Sequence, residues 1–171
     1  MFGTAPKAIY RKAYEILSTD ATLSYMKLRE SGYRPRENIT PDLFPWAFVD
    51  LGDWSGVDPY RFGMVFDYEL TIPVIALTYA DKGRPEEMLF QADENPVNEN
   101  KGIGDIMVDL GLVFWGYKVN RFGLAVGIID WTITRIGVPT NLGLQALLLN
   151  PHVLGKQMDL TFHIKETLTM S

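Results

Sequence analysis

The stretch QMDLTFHIKETL, residues 157–168, alternates strictly between apolar and polar side chains. Met158, Leu160, Phe162 and Ile164 point one way, and Asp159, Thr161, His163 and Lys165 the other, because successive side chains on a strand leave opposite faces. The pattern predicts a β-strand with one dry face and one face that meets water or a partner. The last residues of a domain commonly fray. A strand this well specified in that position is therefore expected to lie at the centre of the core.

A second alternation, GMVFDYELTIPVIALTY at residues 63–79, predicts the longest strand. Met64, Phe66, Tyr68, Leu70, Ile72 and Val74 share one face; Asp67, Glu69 and Thr71 share the other. Pro73 lacks a ladder donor, so an edge, a bulge or a bend is expected there. FPWAFVDLGDW predicts a short strand over 46–51, bounded by Gly52. LAVGIIDWTITRIGV, rich in β-branched residues, predicts a strand over 124–134.

Two segments have helical spacing instead. In PKAIYRKAYEIL, Pro6 suits the first helical position, and Ile9, Ala13, Ile16 and Leu17 form one apolar stripe. In GIGDIMVDLGLVFWG, Ile103, Ile106, Met107, Leu110 and Phe114 share a face with Asp105 and Asp109 opposite. Gly111 weakens this helix and Gly116 ends it. STDATLSYMKLRESGYRPR reads as a short, interrupted helical piece ending at Gly32, then an exposed basic turn. PTNLGLQALLLNPH fits either a short helix or a strand. The order predicts an α+β fold: a mainly antiparallel sheet with two amphipathic helices packed on one face. A chain of 171 residues fits a single domain spanning 1–171. A long polar loop at 80–102 interrupts it.

The composition, 47% hydrophobic and 22% charged, belongs to a globular chain, and the absence of cysteine excludes disulfides and thiolate metal sites. Neither a signal peptide nor a membrane span is predicted. The net charge of −5 is unevenly spread. Residues 1–36 carry seven basic and three acidic residues, 37–110 four and fifteen, and 111–171 five and three. One reading is three solvated faces. The sharper one is a repeated subunit contact in which Arg11, Lys12, Arg34 and Arg36 meet the acidic middle of a neighbouring copy. No basic stripe for nucleic acid is present.

Catalytic motifs are scarce. His152 and His163 lack paired-histidine spacing, and neither HExxH nor GxSxG occurs. GIGD at 102–105 opens a helix without the third glycine of a nucleotide cradle. Asp67, Glu69 and Asp130 lie within predicted strands, where two carboxylates on one face would suit acid/base work. A solvated or neighbour-facing sheet explains them more simply. Trp46, Trp54, Trp115 and Trp131 are scattered over different elements and fit core or interface better than a sugar site.

The order of pieces resembles the tail terminator (tail completion) proteins of tailed bacteriophages. The resemblance runs through the N-terminal helix AIYRKAYEILSTDATL, the strand start FPWAFVDLGD, the long strand FDYELTIPVIALTY, a helix after an acidic loop, and the final strand MDLTFHIKET. The chain departs from that pattern in its longer loop, 80–102, and in TNLGLQALLLNPH. The resemblance implies a non-enzymatic, cofactor-free homo-oligomeric ring, hexameric in that family. Such a ring caps the tail tube, meets the head–tail connector or neck protein, and lets DNA pass through its lumen without sequence-specific binding. It implies a virion protein at the head-proximal end of the tail, assembled in the host cytoplasm. The rivals are a head-closure or neck protein of the same junction, and a small acid/base hydrolase. Within the loop, Arg84, Glu86, Glu87, Met88, Leu89 and Phe90 are further candidate contacts, with three large apolar residues carried on a polar arm.

Overall fold

Two fifteen-residue strands form the spine of the molecule. In the computed structural model, which describes residues 4–55, 65–79, 101–118, 121–124 and 127–167, β4 (Val65–Tyr79) runs antiparallel to β6 (Val153–Thr167). Their ladder is continuous from Val65↔Thr167 to Tyr79↔Val153. On its other side β6 pairs with β5 (Ile128–Gly137), so the final strand is interior to the sheet. Beyond β4 come β2 (Trp46–Val49), antiparallel to it, and β1 (Leu28–Ser31), parallel to β2. The order is β1-β2-β4-β6-β5, with the two-residue β3 (Trp54–Ser55) pairing β4 off that path. The sheet is mixed and mostly antiparallel.

One face of the sheet carries the alternation's apolar half. Tyr68, Leu70, Ile72 and Val74 of β4 and Met158, Leu160, Phe162 and Ile164 of β6 are all buried. Two helices cover them, α1 (Thr4–Thr19) and α2 (Ile103–Trp115). Helix α1 contributes Ile9, Ala13, Ile16 and Leu17, and α2 contributes Ile103, Ile106, Met107, Leu110 and Phe114. Beside them Phe122 sits between the rings of Phe114, Trp131 and Phe162. It is a non-glycine residue at φ 63°. Aromatic packing on several sides holds this left-handed backbone in place.

Among the described residues the opposite face is covered at one end only. There Phe44, Trp46, Phe48, Ile75, Leu77 and Val153 form a second cluster with Leu144 and Leu147. These two leucines come from a 3-10 turn (Leu142–Leu144) and the short helix α3 (Gln145–Leu148), which settles the ambiguous segment as helical.

Residues 18–36 depart from the helical reading. Only Ala21–Leu23 form a 3-10 turn, capped by the Asp20 carboxylate accepting from Thr22 N at 2.9 Å, and residues 28–31 are β1. Pairing with Trp46–Val49 overrides local propensity. Arg29 of β1 donates to Leu17 O and Asp20 O, closing the C-terminal end of α1.

Pro73 lies in an interior strand, not at an edge, and the bend occurs in its neighbour. The ladder with β2 ends at Val49↔Val74. Asp50 N then donates to Pro73 O and Gly52 N to Thr71 O in the same register, and the next bond, Thr71 N to Asp53 O, is displaced by one residue into the register of β3. Pro73 returns no bond to Asp50, and the shift follows two residues on, opposite Thr71. Gly52 allows the close pass, because a Cβ there would lie 2.7 Å from Thr71 O. The strand expected at 124–134 begins four residues later and ends three residues later, at 128–137, with two bulges against β6.

Candidate functional site: the uncovered sheet face

The polar half of the alternation forms the uncovered part of the second face. The β4–β6 register places Glu69 opposite His163, Asp67 opposite Lys165 and Thr71 opposite Thr161. The β5–β6 register adds Asp130 opposite His163 and Arg135 opposite Asp159. Directly paired residues on neighbouring strands project from the same face. Asp67 and Glu69 therefore share one surface, as the alternation predicts, and strand register adds Asp130 to it.

This surface holds short polar contacts. His163 Nε2 contacts Asp67 Oδ1, bringing together residues 96 apart. Periodicity shows which face each residue occupies, but strand register decides which residues meet. The Thr161 hydroxyl lies 2.9 Å from that of Thr134 and 3.5 Å from that of Thr71. Lys118 reaches Asp130 at 3.5 Å from the sheet edge, over the ring of Trp115.

Toward the covered end the surface deepens into an open cleft of about 530 Å³. Its floor includes Thr71, Pro73, Gln157 and Asp159, and its walls are residues 50–53 and the turn with Thr140 and Asn141. The floor is largely self-satisfied. Gln157 donates to Asp159 Oδ1 at 2.7 Å and accepts from Thr140 N at 2.9 Å. Asn141 Nδ2 donates to Asp50 Oδ2 at 2.6 Å, and Arg135 Nη1 lies 3.8 Å from Asp159 Oδ2. These bonds clasp the β5–β6 turn onto the end of β2. Among the described residues no group of three His, Asp or Glu converges to hold a metal ion. No described helix is long and apolar enough to cross a membrane.

Acidic charge dominates the face. Asp50, Asp53, Asp67, Glu69, Asp130 and Asp159 stand against Arg135, Lys165 and Lys118. Asp53 and Glu69 are exposed and have no ion-pair partner among the described residues.

The basic residues singled out from sequence take different positions. Arg11 is exposed on α1, while Lys12 is partly occupied by Glu15 at 3.3 Å. Arg34 is exposed beyond β1. Arg36 is turned onto its own domain, pairing with Glu30 and lying 5.4 Å from the centre of the Trp46 ring. Arg84, Glu86, Glu87, Met88, Leu89 and Phe90 lie outside the described residues.

Two features lie outside the candidate contacts drawn from the sequence. Lys7, one turn before Arg11, is exposed on the same side of α1. Val108, Leu112 and Trp115 form an exposed apolar stripe on α2, at 53%, 69% and 47% exposure. Their i, i+4, i+7 spacing was legible, but one helix carries two apolar stripes here. The dry one drew the reading. Asp105 and Asp109 lie to the side: Asp105 accepts from Gly102 N, and Asp109 accepts from Tyr25 and Lys101. Neither a protein-family model nor a curated protein matches this chain.

Proposed function

We propose that this protein is a structural subunit of a tailed-phage virion, a homo-oligomeric ring that ends the tail tube and joins it to the head–tail connector. The observation that carries the reading is the placement of the final strand. Its alternation builds the centre of the sheet on one face. Its other face lies at the middle of an acidic surface, built with Asp67 and Glu69 of β4 and Asp130 of β5, that the helical layer does not cover. In a ring such a surface meets the lumen or the next subunit, and the exposed apolar stripe on α2 is a second contact surface on the other side of the molecule. The order of elements, shared with the tail terminator pattern, supports the same conclusion. In this reading the polar side chains of the sheet serve assembly and not turnover, and no cofactor takes part.

The test is direct. Purified protein imaged by negative stain is expected to form closed rings, and these should bind purified tail tubes at one end. Single subunits that never associate with one another or with a tube would overturn the proposal.

A further inference from the structure

We infer that copies of the chain stack front to back, with the outer side of the helical layer of one copy seated on the uncovered acidic sheet face of the next. The inference rests on the homo-oligomeric reading above and adds to it the two surfaces that meet. Helix α1 buries Ile9, Ala13, Ile16 and Leu17 against the sheet, so Lys7 and Arg11 project away from it. Neither cation has an ion-pair partner among the described residues. On the opposite side of the molecule Glu69 and Asp53 are likewise exposed and unpaired.

These groups cannot satisfy one another within one copy. A helix about 10–12 Å across and the sheet beneath it separate them, which exceeds the screening length of roughly 8–10 Å near physiological salt. Between copies the same groups come into register, basic on acidic. Val108 and Leu112 of α2 project from the same outer surface as the two cations. They supply the apolar contact that exposed charge pairs lack, since such pairs contribute little individually. The contact is heterologous, using two different surfaces, so repeating it generates a ring or a filament.

Charge reversal tests the pairing. Lys7→Glu with Arg11→Glu gives a copy acidic on both surfaces, and Asp53→Lys with Glu69→Lys gives a copy basic on both. Each variant alone should raise the dissociation constant of assembly, measured by light scattering, by about tenfold or more. Carrying all four changes in one chain should restore assembly. Mixing the two double variants in equal amounts should restore it too, because acidic helices then meet basic sheets and the reverse. A misfolded variant could not be rescued this way. Rings that form equally well in every variant, as a lumen-facing sheet would give, overturn the stacking but leave the ring. Weakening without rescue also overturns the stacking. A wild-type chain that stays monomeric overturns both.

Discussion

Phe162 has its ring centre 5.0 Å from that of Phe122 and 5.6 Å from that of Trp131, and it is fully buried. Replacing it with Ala leaves a cavity that rigid neighbours on neighbouring elements cannot fill. Phe162→Ala should therefore cost about 3–5 kcal/mol in urea unfolding. A loss under about 1 kcal/mol would mean that β6 does not organise the core. Gly111 is the converse case. It lies inside α2 with no atom within 4 Å of where a Cβ would stand. Gly111→Ala should raise stability by about 0.5–1 kcal/mol, by lowering the entropy of the unfolded chain. A drop in melting temperature would show that this glycine makes a close approach the structure lacks.

Among the elements, tyrosine–carboxylate bonds tie the helical layer to the sheet. Tyr68 of β4 donates to Glu166 Oε2 of β6 at 2.8 Å, and the other oxygen of Glu166 accepts from Ala5 N in the first turn of α1. Tyr25, between α1 and β1, donates to Asp109 of α2 at 2.7 Å. Burial, followed by the adjacent carboxylate, pushes both phenols well above their ordinary value of 10.0. A phenol kept neutral in the fold contributes stability that is fully present below the unfolded value and is lost as pH rises above it. Stability should hold up to about pH 10 and then fall by up to about 1.4 kcal/mol per pH unit for each phenol. In Tyr25→Phe with Tyr68→Phe the alkaline fall should flatten; an unchanged fall would place the sensitivity elsewhere. These ties were not legible in the sequence, because each joins residues 84 or 98 positions apart. The long elements were legible for the opposite reason. In α1, α2, β4 and β6 one face carries a run of buried apolar residues, so periodicity survives in the residue order. In β1 every residue is only partly buried, so it carries no such pattern and takes its strand form from β2.

For the whole molecule, the uncovered sheet face and the outer helical layer are opposite surfaces of opposite character. That arrangement follows from the amphipathicity of β4, β6 and α1 together with the sheet order. The first was legible in the residues; the second needed long-range pairing. The acidic surface draws on two segments of the sequence, Asp67 and Glu69 from one and Asp130 and Asp159 from the other, and forms only once β4, β5 and β6 are side by side. An assembly held partly by charge should weaken as screening shortens from roughly 8–10 Å near physiological salt to roughly 3 Å at 1 M. The decisive experiment is light scattering on the purified wild-type chain, stepped from low salt to about 1 M and paired with negative-stain images. Closed rings of one mass are expected at low salt, releasing subunits as salt rises. A chain that stays monomeric at every salt and protein concentration would contradict the proposed ring.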